Sequence, residues 1–223
     1  MKIIGHIHTD FKDKFGVPRQ SGLAGNLKGV IEFEPEYRQP EAFQGLEEFD
    51  YIWALFIFHK AARDNFSATV KPPRLGGNVR KGVFATRSPF RPNNIGMSSL
   101  KLEKVEYDNE RGPLIYVSGV DMIDNTPIVD IKPYLPYADS HEGARAGFTE
   151  SVHDYRLTVS DPDKYLDIFD DEKRTALMQV LEEDPRPGYQ NDPFKIYKMR
   201  YGEYDIHFRV DGRNLTIENV IFL

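Results

Sequence analysis

The sequence predicts a mainly β protein, an N-terminal β-barrel followed by a small α+β domain. Three observations carry this. Seven short apolar or alternating segments fall within the first 131 residues, with almost no helical periodicity between them. A long amphipathic helical pattern first appears near residue 163, and three strand-like segments follow it. Between the two parts, residues 138–154 are polar and rich in Gly and Ala. The expected division is a barrel domain over 1–139, a linker over 140–154 and an α+β domain over 155–223.

The elements follow in order. Residues 2–8 read as a strand on which His6 and His8 share a face. That spacing could hold a metal, but no third ligand is evident nearby, and two half-exposed histidines are the simpler expectation. Residues 10–26 are irregular, punctuated by Gly16, Pro18, Gly22 and Gly25, and contain Val17-Pro18-Arg19-Gln20. A strand is expected over 27–33 and a short helical turn over 39–48, with Phe43 and Leu46 at helical spacing. Residues 51–58 are apolar at every position, which predicts a central strand buried on both faces. It ends at His59-Lys60, either a ligand contact or simply the point where a buried strand meets water.

A loop over 70–78 leads to an expected strand over 79–85, and further strands are expected over 97–107 and 114–120 around a turn at 108–113. Asp124-Asn125-Thr126-Pro127 is a strong turn signal. Asp130 lies in an otherwise apolar strand and needs a partner, for which an arginine of the basic loop is the natural candidate, as an ion pair or in catalysis. In the last third, a strand over 152–159, a helix over 163–183 capped by Asp161-Pro162, and strands over 194–200, 204–210 and 215–222 complete the chain. Asp211-Gly212-Arg213-Asn214 is a hairpin signal.

The most informative run is Gly82-Val83-Phe84-Ala85-Thr86-Arg87-Ser88-Pro89-Phe90-Arg91-Pro92-Asn93. Its prolines fix their own φ and bias Ser88 and Arg91 towards extended geometry. A stiff loop of this kind could present Arg87 and Arg91 to one anion at little ordering cost. From Asn65 to Leu102 there is no Asp or Glu, whereas Lys71, Arg74, Arg80, Lys81, Arg87, Arg91 and Lys101 all fall there, in a chain of net charge −6. Such a zone is either a solubilising surface or an address for carboxylates and phosphates.

The 223 residues contain no cysteine, so disulfide frameworks and thiolate metal sites are excluded. The N-terminus lacks the apolar stretch of a signal peptide, and the longest apolar run is too short to span a bilayer; a cytoplasmic protein is expected. There is no dinucleotide-binding glycine fingerprint, P-loop, zincin motif or nucleophile elbow.

The twelve-residue run over 82–93 resembles the signature of the TsaA-like proteins, also called the YaeB or TrmO family. The resemblance extends to Val17-Pro18-Arg19-Gln20, Phe58-His59-Lys60, Pro72-Pro73-Arg74-Leu75-Gly76-Gly77-Asn78, the turn at 124–127, and Asp130-Ile131-Lys132-Pro133-Tyr134-Leu135-Pro136-Tyr137. Asp184-Pro185-Arg186-Pro187 and the final strands are similar to the bacterial C-terminal domain. The resemblance implies a dimeric, non-Rossmann β-barrel methyltransferase. It would use S-adenosylmethionine to methylate N6 of threonylcarbamoyl-adenosine at position 37 of the tRNA anticodon loop. Carried over by motif, Pro18, Arg19, Gln20, His59, Lys60, Arg91, Leu102, Asp124, Asn125, Thr126 and Pro127 would contact the cofactor. Arg87 belongs to the signature without an assigned partner, and Lys71, Arg74, Arg80, Lys81 and Asp130 remain as RNA-binding or structural groups. His59 is a base candidate on residue type alone. Asn94 stands where the family has Pro and should slacken the loop slightly. Asn125 replaces Gly, but Asn tolerates the left-handed conformation. The competing expectation is a non-catalytic module that binds S-adenosylmethionine or RNA.

Overall fold

The computed structural model describes residues 1–61, 65–75, 78–151 and 153–223; Gly76 and Gly77 of the motif at 72–78, and Val152 at the start of an expected strand, lie outside them. The strands are β1 (Gly5–Thr9), β2 (Lys28–Phe33), β3 (Tyr51–Ile57), β4 (Thr69–Val70), β5 (Lys81–Gly82), β6 (Ile95–Asp108), β7 (Gly112–Ser118), β8 (Thr126–Pro133), β9 (Thr158–Ser160), β10 (Tyr197–Tyr201), β11 (Tyr204–Asp211) and β12 (Asn214–Phe222). Two α-helices are described, α1 (Pro136–Asp139) and α2 (Asp171–Glu182).

A closed barrel forms in the order β1-β2-β7-β6-β3-β8, with every pairing antiparallel. Closure leaves no unpaired edge. Ile7, Ile31, Ile52, Leu100, Ile115 and Ile128 fill its interior. The barrel has six strands rather than seven. The expected strand over 79–85 does not join it: β5 pairs with the two-residue β4, and Val83–Ala85 is a 3-10 turn. Val83 is buried, but Val79 and Phe84 are exposed, so this run has no continuous apolar face to add to a sheet.

β3 also differs from expectation. Ile52, Ala54 and Phe56 point inward, while Tyr51 and its alternates face outward and retain exposure. A barrel strand has one interior face, so an apolar residue at every position leaves an apolar outer stripe.

The C-terminal domain is a sheet in the order β10-β11-β12-β9, in which β9 runs parallel to β12. The β11–β12 hairpin turns at Asp211 and Asn214, with Gly212 at positive φ. Helix α2 buries Ala176, Leu177, Val180 and Leu181. It starts later than expected. Asp161 accepts from the Tyr165 and Leu166 amides at 2.9 Å and caps a separate 3-10 turn. Asp170 then caps α2, accepting from Lys173 N at 2.8 Å. Two capping aspartates thus divide one amphipathic pattern into two pieces.

A single buried cluster runs through both domains. The irregular stretch after β1 supplies much of the join. The Phe11 ring meets Tyr201 edge-on at 5.5 Å, and Phe15 stacks on Tyr197 and Phe208 at 6.5 and 6.3 Å. Gly202 N donates to Asp10 O at 2.7 Å. Gly16 has φ +95°, and a Cβ there would lie 2.2 Å from Met199 Sδ, so a side chain is excluded on two counts.

Candidate functional site

The end of β1, the end of β3 and the starts of β6 and β8 lie at one mouth of the barrel, as the pairs Ile57↔Ile95, Ile7↔Thr126 and Phe56↔Ile128 require. The segments flanking these strand ends therefore converge. They are the ones that hold the sequence motifs.

Three side-chain links join them. Arg87 Nη1 donates to Gln20 Oε1 at 2.6 Å, tying the signature loop to the Val17–Gln20 motif. Lys60 Nζ donates to Lys12 O at 2.9 Å, and Lys14 donates back to Lys60 O. Lys12 Nζ lies 2.7 Å from Asp124 Oδ2, while Thr9 N donates to Asp124 Oδ1 at 3.0 Å. Burial acts to raise the Asp124 pKa, but Lys12 and the Thr9 amide outweigh it and hold the carboxyl below its ordinary value. Asn125 takes φ 60°, the left-handed conformation expected of it, and Thr126 is buried with its hydroxyl donating to Ile123 O at 2.6 Å. Pro127 stands opposite His6 of β1. His59 is exposed just past the end of β3; partial burial and the neighbouring Lys60 charge lower its pKa.

Other residues stand differently from expectation. Arg91 is turned into its own loop, apart from Arg87. Its Nη1 donates to Val83 O at 3.1 Å and Thr86 O at 2.7 Å, and its guanidinium lies 5.4 Å from the Phe84 ring centroid. It braces the loop from within. Asn94 is tied into that loop: its Nδ2 donates to Pro89 O at 2.7 Å, a bond a proline side chain could not make. Arg19 turns towards the C-terminal domain, donating to Arg186 O at 2.8 Å and Asp184 O at 3.3 Å, and burial together with Arg74 lowers its pKa. Pro18, buried beside it, fixes that approach. Asp130 is paired with Lys132 at 2.9 Å on the outer barrel surface, not with a basic-loop arginine, because the bulge between Ile128 and Asp130 sets it opposite the outward-facing Leu55. Leu102 is a core residue level with Val117, its amide donating to Asp50 O at 2.8 Å, and the contacts described do not link it to the mouth.

The remaining cations divide. Arg74 pairs with the buried Glu183 at 2.5 Å, a structural bond between domains. Arg80 donates to Thr69 Oγ1 at 2.9 Å, Lys81 lies 5.5 Å from the Phe148 ring centroid, and Lys71 is exposed on a cleft wall. His6 faces Glu34 at 3.2 Å, and His8 lies 3.6 Å from Asp124; among the described residues no three metal-binding side chains converge.

Asp121 was not singled out by the sequence reasoning. It follows the buried end of β7, accepts from Ser98 Oγ at 2.6 Å and from the Ser21 amide, and faces Arg87; burial raises its pKa to about 6. The argument applied to Asp130, a carboxylate next to apolar strand residues, would have found it.

The donor set at the mouth fits a zwitterionic sulfonium cofactor. Arg87, Lys60 and Gln20 can hold a carboxylate, while Asp124 and the carbonyls of its turn can meet an ammonium or an adenine amino group. Comparison with known proteins agrees with this chemistry. A family model described as the tRNA-methyltransferase O N-terminal domain matches residues 6–140, and one described as the TrmO C-terminal domain matches residues 167–222. The chain is 40% identical to the tRNA (adenine(37)-N6)-methyltransferase of Escherichia coli (strain K12), with 96% of this chain and 94% of that protein covered. It is 38% identical to a Pseudomonas aeruginosa protein named putative S-adenosylmethionine-dependent methyltransferase RcsF, over 92% of this chain and 90% of that one. A crystal structure of TrmO from Pseudomonas aeruginosa superposes with a TM-score of 0.76 at 32% identity, covering 98% of this chain and 97% of that one. The chain belongs to the tRNA-methyltransferase O family.

Proposed function

We propose that this protein is an S-adenosylmethionine-dependent tRNA methyltransferase acting in the cytoplasm on N6 of threonylcarbamoyl-adenosine at position 37 of the anticodon loop. The observation that carries this reading is the convergence of the Gln20, Lys60, Arg87 and Asp124 segments at one mouth of a closed barrel. When bound, the cofactor supplies an electrophilic methyl group on a sulfonium. The chain's own contribution is first positional: in-line displacement gains most from fixed geometry, and the mouth loops are braced by Arg91, Asn94 and Thr86. The second contribution is a proton acceptor. The acceptor nitrogen lies between a carbonyl and an adenine ring, so it is a poor nucleophile that becomes effective as its proton leaves. His59, just past the end of β3, is the candidate for that proton on residue type and place in the chain.

A homodimer is part of the proposal. Tyr51, Trp53, Leu55 and Met97 form an apolar stripe on the outside of β3 and β6, with Tyr51 43% and Met97 52% exposed. Outward positions of a barrel strand are ordinarily polar, and a second copy covering this stripe accounts for the composition of β3.

The test is methyl transfer from labelled cofactor to two tRNA preparations, one with and one without the threonylcarbamoyl group. Label entering only the modified tRNA is expected. Cofactor binding without transfer to either would overturn the enzymatic reading in favour of a binding module.

A further inference from the structure

A second concavity lies beside the mouth, between the loop after β1 and the segment after α2. It has a volume of about 640 Å³, and its walls include Lys14, Phe15, Lys71, Pro185, Pro187 and Tyr189. Its apolar walls have a fixed geometry. Phe15 is held nearly parallel to Tyr197 and Phe208, with interplanar angles of 11° and 9°, so its orientation is set by the C-terminal core. Tyr189 is 69% exposed, which leaves its ring open to a ligand in the cleft. The two sides of the cleft meet through bare backbone: a Cβ on Gly188 would lie 2.0 Å from Pro73 O. Lys14 and Lys71 supply charge, and no Asp or Glu is among the described lining residues, on a chain of net charge −6.

The neighbouring cleft, about 550 Å³ and lined by Arg19, Arg74 and Arg186, is different. There Arg74 pairs with Glu183, Arg186 pairs with Asp184, Arg19 donates to backbone carbonyls, and Glu150, Asp154 and Asp184 stand in the walls.

We propose that the first cleft seats an unstacked nucleotide of the substrate tRNA, a neighbour of the methylated one. Its base would lie against Phe15 and Tyr189 and its phosphates against Lys14 and Lys71. Rings and prolines accept the face of any base, and lysines hold phosphate as point charges. Lys14 also donates to Lys60 O, so a base seated here is coupled directly to the His59-Lys60 segment of the mouth. The C-terminal domain thereby acquires a role, since it provides Pro185, Pro187 and Tyr189. This inference rests on the tRNA methyltransferase reading.

The experiment measures tRNA affinity of the full-length chain across a range of salt concentrations for wild type, Tyr189→Ala, Tyr189→Phe and Lys71→Ala. Cofactor affinity and melting temperature are measured alongside. Tyr189→Ala should weaken tRNA binding on the order of tenfold at every salt concentration, and Tyr189→Phe should restore it. Lys71→Ala should weaken binding and reduce the log–log salt slope by about one. Cofactor affinity and melting temperature should not change. Wild-type tRNA affinity in Tyr189→Ala and Lys71→Ala, in a protein that still methylates tRNA, would overturn the cleft assignment alone. A wild-type chain that binds no tRNA would overturn the functional reading with it.

Discussion

Arg91 and Asp121 show how single side chains build the mouth without facing outward from it. Arg91 satisfies two carbonyls of its own loop, at Val83 and Thr86. Both bonds leave one nitrogen of a planar guanidinium that also lies against the Phe84 ring, a position a flexible ammonium does not hold, so Arg91→Ala and Arg91→Lys should both lower kcat/KM at least tenfold. Each should also cost roughly 1–2 kcal/mol of stability, read from chemical denaturation. Rescue by lysine would show that charge alone matters at this position. Asp121 titrates near 6, above the value of about 3.9 of an unfolded aspartate. Between those pH values the folded chain binds more protons than the unfolded one, so this group's contribution to stability falls as pH rises through that window. Asp121→Asn removes the buried charge. The variant should be roughly 1–3 kcal/mol more stable than wild type at pH 8, and the difference should vanish towards pH 4. A variant less stable than wild type at pH 8 would contradict the burial argument.

Elements were legible in the sequence where one local rule decided them. The alternating strands, the hairpin at 211–214 and the left-handed Asn125 follow from period and turn chemistry. The segment over 79–85 was misread because Val79, Val83 and Phe84 look like a strand until tertiary burial is known. Helix α2 was overextended because one apolar stripe crosses two capping aspartates. Motif residues at the mouth were legible as a group, but the direction of each guanidinium was not. Arg19 and Arg87 find the C-terminal domain and Gln20, partners so distant in sequence that they leave no local signal, while Arg91 folds back onto carbonyls of its own loop, which residue type alone does not specify. The docking of the loop after β1 on β10 can be tested at Gly16. Gly16→Ala should destabilise the chain by about 1–3 kcal/mol through backbone strain and the Met199 contact, lowering the melting temperature. An unchanged melting temperature would show that the loop is not held there.

At the scale of the whole molecule, the proposed dimer rests on the apolar stripe outside β3 and β6, so Met97→Glu should convert a dimer to a monomer in analytical ultracentrifugation. A wild-type chain that sediments as a monomer at micromolar concentration would leave that stripe unexplained. The account as a whole rests on the mouth formed by the Gln20, Lys60, Arg87 and Asp124 segments. It is tested most directly by calorimetric titration of S-adenosylmethionine into wild type and Arg87→Ala. Loss of one charge-assisted contact predicts a Kd raised roughly 10- to 100-fold at an unchanged melting temperature. An Arg87→Ala variant that binds the cofactor as tightly as wild type would contradict the site.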